Sequence, residues 1–196
     1  MNGYEKTYET MRRRLADCDF AAVAPQLGLA APENGVLHID FLGRRWSVDA
    51  SGVNQEGGGA AHVNGKTVIV YYLTHGGSGF PRYDFQSLRA FAFGLFDGSR
   101  GVTAAERSAI TEYAPFVDIA KRLGAEFVRE TASGSHTWML YAFPKVPVLL
   151  TFIEDDDEFP AELQLKFDVT ATDFLPFETL AVLNGLITAE FSAGWG

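Results

Sequence analysis

Apolar positions along the chain change their period several times, and each change marks an element. Residues 3–17 are mostly polar, with Tyr4, Tyr8, Met11 and Leu15 at spacings of 4, 3 and 4, which predicts an exposed helix with one apolar stripe. Residues 20–27 predict a second short helix closed by Gly28, the residue type that most readily leaves a helix in the left-handed region. In VLHIDFLGRRWSVD, the apolar positions Val36, Leu37, Ile39, Phe41, Trp46 and Val48 flank a turn near Leu42-Gly43-Arg44, so a β-hairpin is expected. Ser51–Asn64 is Gly-rich and reads as loop. Period does not assign Lys66–Leu73, KTVIVYYL: its β-branched residues favour a strand, yet a run of this length fits a buried helix equally well.

The second half is sharper. His75–Arg82, HGGSGFPR, is strong punctuation, and the aromatic-rich Tyr83–Phe93 begins as a strand. Thr103–Gly124 predicts a helix: Thr103 with Glu106 makes a capping box, Pro115 splits or kinks it, and Gly124 ends it. His136–Phe143 reads as a strand, Pro144-Lys145 as a turn, and Val146–Ile153 as a strand apolar on both faces and hence central. ELQLKFDV alternates, with Leu163, Leu165, Phe167 and Val169 on one side and Glu162, Gln164, Lys166 and Asp168 on the other, a half-exposed antiparallel strand. A last helix, Pro176–Phe191, has proline at its first position and a stripe of Leu180, Leu183, Ile187 and Phe191. The order predicts an α+β fold: a single globular domain over 1–196, with an antiparallel sheet and helices packed on it.

Composition narrows the function classes. The chain has 196 residues, 47% of them hydrophobic, enough for one real core and short for two. Residues 1–100 balance ten Lys/Arg against ten Asp/Glu, whereas 101–196 hold six against fifteen, so the whole net charge of −9 lies in the second half. No nucleic-acid partner is expected of such a chain, because phosphate binding needs a net basic face. The triplet Arg12-Arg13-Arg14 sits among acids and decorates a helix. The longest apolar run, Val146–Ile153, is far short of the roughly 20 residues that span a bilayer, so no membrane role is expected either. One cysteine, Cys18, excludes an internal disulfide or a Cys-rich metal site within one chain, and a cytoplasmic location is expected. Its neighbours Asp17 and Asp19 raise a thiol's pKa and disfavour a reactive thiolate.

The usual chemical motifs fail on spacing. GGAAHVNGKT resembles a phosphate-binding loop, but that motif puts four residues between its first glycine and Gly65-Lys66-Thr67 and so requires glycine at 60, where alanine stands, and an Asn64-Gly65 turn is the simpler reading. Gly57-x-Gly59 and Gly77-x-Gly79 lack the third glycine of a dinucleotide loop, and Ser78 lacks the second glycine of a nucleophile elbow. None of His38, His62, His75 and His136 opens an HExxH motif. His75, beside the Gly-rich loop, is the most promising of them and His136, starting a strand, the least.

What remains is FIEDDDEFP, residues 152–160. It lacks the glycine of a calcium loop, and its five adjacent carboxylates repel one another into solvent unless a cation or a basic partner gathers them. A solvated connection between two strands is the first reading, and a binding surface of Asp155, Asp156, Asp157 and Glu158 the second. Facing carboxyls of the glycosidase kind fit poorly.

The run from Pro144 to Pro147, the strand Val148–Ile153, the acids closed by Phe159-Pro160, Phe167-Asp168 and Leu175-Pro176-Phe177-Glu178 together resemble an uncharacterised bacterial and archaeal family catalogued as domain of unknown function 3786. FLGRR at 41–45 and Phe85-Gln86-Ser87-Leu88 are weaker upstream matches. The resemblance implies that KTVIVYYL is a buried helix. It implies no reaction. Some relatives carry a four-cysteine iron–sulfur segment of the type seen with corrinoid proteins, which a chain with Cys18 alone lacks. The expectation is therefore a non-catalytic accessory domain that binds a small molecule or a protein, without cofactor or metal. The alternative is an enzyme, with a divalent metal as one option, whose site joins the acid cluster to His75 or Arg82 from afar. A third is a homodimer that buries the aromatic segment Phe80–Phe96.

Overall fold

The computed structural model describes residues 3–58, 62–92 and 111–192. Helix α1 (Gly3–Arg12) runs into a 3-10 turn (Arg13–Asp17), and α2 (Phe20–Gln26) starts where the Asp19 carboxylate accepts the amides of Ala21 and Ala22. Strands β1 (Leu37–Phe41) and β2 (Arg44–Asp49) form the expected hairpin. Its loop is Leu42-Gly43, with both residues at positive φ, the backbone a two-residue hairpin loop needs to match strand twist. A third strand, β3 (Gly52–Gln55), lies in the stretch read as loop. It is turned back by the Asp49 carboxylate, which accepts from the Ser51 and Gly52 amides.

KTVIVYYL is helical, inside α3 (Val63–Thr74). Burial on nearly every side erased the amphipathic period. Asn64-Gly65 is not a turn but the first turn of this helix, capped by the His62 ring. Strand β4 (Phe85–Ser87) and helix α4 (Leu88–Phe91) follow. The Thr103–Glu106 capping box lies outside the described residues. Within them, helix α5 spans Tyr113–Arg122, so Pro115 sits in its first turn, where the amide it lacks has no intrahelical partner, and kinks nothing.

Strands β5 (Glu126–Glu130), β6 (Ser135–Phe143), β7 (Val146–Ile153) and β8 (Glu162–Asp168) join β4 in an antiparallel sheet of order β4-β8-β7-β6-β5. The doubly apolar β7 is central, as its composition predicts. Helices α6 (Ala171–Phe174) and α7 (Phe177–Phe191) end the described chain, with Pro176 just ahead of α7. The fold is thus α+β, with two antiparallel sheets of three and five strands where one was expected.

One face of the five-stranded sheet carries Trp138, Leu140, Val148, Leu150, Phe152, Leu163, Leu165 and Phe167, all buried under the helices. Phe116 of α5 stacks on Phe152 and on Phe191 of α7 and meets Trp138 edge-on. A second aromatic stack joins the two sheets: Phe41, Phe143 and Tyr72 follow one another with centroids 4.8 and 4.0 Å apart. Each such pair adds about 0.5–1.5 kcal/mol beyond the burial of its surface. The Tyr72 hydroxyl donates to the Leu27 carbonyl at 2.8 Å and accepts the Lys145 amide, and burial pushes its pKa far above the usual phenol value. Among the described residues no helix is long and apolar enough to cross a membrane.

Candidate functional site

Asp155 to Glu158 lie exposed in the connection from β7 to β8. Asp156 turns inward on its own loop: its carboxylate accepts the amides of Glu158 and Phe159 at 2.9 and 2.7 Å, and its amide donates to the Phe159 carbonyl. Asp155, Asp157 and Glu158 point to solvent. Replacing these three by Asn, Asn and Gln is expected to leave the melting temperature within about 2 °C, since exposed substitutions change stability by about 0.5 kcal/mol. Asp156→Ala, which strips two amides of their acceptor, is expected to cost about 1 kcal/mol in a urea titration.

His75 and Arg82 sit at the opposite end of the sheet. His75 closes α3, its amide bonded to the Tyr71 carbonyl, and its ring is exposed. Arg82 leads into β4, which pairs with the far end of β8. The seven residues of β8 separate this end from the acid loop, roughly 20 Å at about 3.3 Å per residue. The structure therefore brings His75 and Arg82 into one loop and does not bring either to the acid cluster. Among the described residues, no three His, Cys, Asp or Glu side chains gather closely enough to hold a metal ion.

The end of the sheet near Arg82 is built around a residue whose sequence pattern misplaces it. Asp168 falls on the polar side of β8, yet it is fully buried. Its Oδ1 accepts from the Arg82 amide (3.2 Å), the Thr170 amide (3.0 Å) and the Thr170 hydroxyl (2.6 Å), and its Oδ2 from the Asp84 amide (3.2 Å). Burial alone would raise the pKa of this carboxyl. The Thr170 hydroxyl and amide, with the amides of Arg82 and Tyr83, outweigh that and hold it below the ordinary value. The segment it grips is unusual in itself: Tyr83 sits at φ +57°, a conformation that costs a residue with a Cβ about 1–2 kcal/mol.

The gripped residues, the loop just ahead of them and β6 display aromatic side chains outward. Phe80 is 80% exposed, Tyr83 56% and Tyr141, on β6, 45%. The Tyr83 and Tyr141 hydroxyls meet at 3.3 Å; that bond, with burial second, pushes Tyr141 up to about 12. Lys145, in the two-residue turn between β6 and β7, places its ammonium 3.6 Å from the centre of the Phe80 ring. Phe80, Arg82, Tyr83, Tyr141 and Lys145 thus form one platform, whose backbone Asp168 fixes at Arg82–Asp84. The sequence offered Arg82 as a candidate here. Lys145 gave no signal beyond a Pro-Lys turn, and the tyrosine pair joins positions 58 apart in the chain.

His136, ranked lowest of the histidines, has the densest surroundings. Its ring is buried and stacks on Tyr113 with centroids 3.7 Å apart, and Nε2 lies 2.8 Å from a Glu154 carboxylate oxygen. Nδ1 lies 3.9 Å from Glu130 and has no hydrogen-bond partner among the described residues. The pair fixes the start of the acid loop to β6. Burial first and Asp19 second push the pKa of the Cys18 thiol up.

A family model described as Domain of unknown function (DUF3786) matches residues 19–190. The chain belongs to this family. The DUF3786 match opens at Asp19, the cap of α2, and closes at Glu190 in the last turn of α7, so it takes in both sheets and every residue of the platform. No curated protein and no solved structure matches the chain.

Proposed function

We propose that this DUF3786 chain is a non-catalytic partner-binding domain, and that it engages its partner with the platform of Phe80, Tyr83 and Tyr141. The observation that carries this reading is the buried Asp168 carboxylate. Taking a charge out of water is expensive, and here the four hydrogen bonds that offset the cost also fix an exposed loop with a strained tyrosine. A pre-set backbone with outward aromatic rings suits recognition, because such rings give large contact area and have few torsions to freeze. An enzyme joining the acid loop to His75 or Arg82 is less well supported, since these stand at opposite ends of β8.

The test is a selection of displayed random peptides on the wild-type domain. Enriched binders are expected to weaken by about 30-fold or more on a Phe80→Ala, Tyr83→Ala variant, the loss usual for central aromatic contacts. That variant is expected to melt within a few degrees of wild type, since both rings are largely exposed. Binders that hold equally to both proteins would sink the proposal.

A further inference from the structure

Resting on the platform reading, we infer that the group seated there is a carboxylate: an acidic side chain of a peptide segment, placed against the Lys145 ammonium beside the Phe80 ring. Lys145 is only 8% exposed, which is rare for a lysine without a counter-ion. Its stem runs beside Pro144 and Gly28, where a methyl group in place of the Gly28 hydrogen would sit 3.6 Å from Cε. No carboxylate of the described residues forms an ion pair with its Nζ; what the ammonium meets is the face of Phe80. The nearby Asp168 carboxylate is occupied by Arg82, Asp84 and Thr170.

The cover over this cation is carried on glycines. Phe80 follows Gly79 at φ +99° and Gly76 at φ +84°, where an added Cβ would meet nothing within 4 Å among the described residues, whereas Gly77 between them is wedged against Asp173 and Phe174. A ring hinged on Gly79 can turn aside while the loop stays fixed at Gly77. A second cation, the exposed Arg82 guanidinium, stands on the same segment without an ion-pair partner among the described residues, and Asp84 is the exposed acid beside it. Two cations without a counter-ion among the described residues, on a chain of net charge −9, select for a negative ligand by contrast with their surroundings. The rings of Phe80, Tyr83 and Tyr141 offer apolar contact that a lone small acid would leave unused, which favours an acidic peptide segment with neighbouring side chains as the occupant.

The experiment takes the peptides enriched on the full chain and measures their affinity by calorimetry. Replacing the acidic residue of a peptide by its amide is expected to weaken binding to the wild-type domain about tenfold or more, the worth of a charged hydrogen bond. Lys145→Met is expected to weaken the acidic peptide by the same factor and to leave the amide peptide unchanged. The free Lys145→Met domain is expected to melt no lower than wild type, because an ammonium without a counter-charge does not hold the fold together. Binding is also expected to weaken with added salt. Enriched peptides that lack acids, or that bind Lys145→Met as they bind wild type, would overturn the carboxylate assignment while leaving the platform reading intact. Displacement of the peptides by micromolar succinate would overturn it in favour of a small free acid. Peptides indifferent to Phe80 and Tyr83 would instead remove the platform reading itself. The peptide-side substitution uses the wild-type domain, so the result stands even if a protein variant folds poorly.

Discussion

Asp168→Ala is expected to cost about 3–5 kcal/mol of folding stability and to release the segment leading into β4. The carboxylate receives the amides of Arg82, Asp84 and Thr170 and the hydroxyl of Thr170. Truncation leaves these donors buried without an acceptor, at about 1–3 kcal/mol for each that water does not reach. Asp168→Asn is no rescue, because its amide nitrogen would present a donor to a donor at one of the two oxygen positions. Urea unfolding gives the loss, and hydrogen exchange locates it: the amides of residues 82–84 are expected to lose protection before those of β6 and β7. Equal protection throughout would mean that Asp168 does not hold the segment.

The same residue sets a pH dependence. Its folded pKa is held below the ordinary aspartate value of about 3.9. Its stabilising contribution is therefore complete above that value and is lost as pH falls through the lower folded value. The stability gap between wild type and Asp168→Ala is expected to be constant from neutral pH down to about 5 and to narrow below about 4. A gap that widens on acidification would contradict the hydrogen-bonding scheme.

Gly43→Ala is expected to cost about 3 kcal/mol or more, a fall of roughly 6–12 °C in melting temperature. The added Cβ would lie 2.0 Å from the Arg122 carbonyl oxygen and 3.1 Å from the Leu123 Cα, so backbone rather than a yielding side chain stands in the way. Relief requires the β1–β2 hairpin to lift from the end of α5. That motion pulls on Glu190, buried in α7, which accepts Arg44 at 2.6 Å and Arg122 at 3.3 Å. Gly57→Ala separates the two contributions: φ is similarly positive, at +81°, but its Cβ would meet nothing within 4 Å among the described residues. It is expected to lose only the left-handed penalty of about 1–2 kcal/mol. Equal losses at both positions would show that backbone conformation, and not the contact with α5, makes glycine necessary at 43.

Legibility in the sequence followed exposure contrast. The β1–β2 hairpin, β6, β7, β8 and α7 were readable because each has a buried and an open side, or is apolar throughout and flanked by turns. Helix α3 was not, since neighbours on nearly every side erase the period that separates helix from strand. Strands β3 and β5 were missed for opposite reasons: β3 is short and begins in glycine, and β5 is exposed at every position, so neither alternates. The alternation of β8 placed every residue but Asp168, whose burial depends on Arg82 and Asp84, more than 80 positions earlier. The platform was illegible for the same reason. Arg82 was named only as a distant partner for the acid cluster, and Lys145 and Tyr141 acquire meaning only when β4 is laid along β8.

The Glu190 tie also bears on how the chain is made. Arg44 waits in the hairpin for a carboxylate 146 positions later, in the last turn of the last helix. During synthesis the hairpin and α3 leave the ribosome early, but this closure has to await the emergence of residue 190. Until then the Arg44 guanidinium, the cavity for α7 and the inner face of β6 and β7 remain open to chaperones. Completion of the domain is thus timed by its final helix, and nascent chains halted before residue 190 are expected to be cut by protease at sites that the finished domain protects.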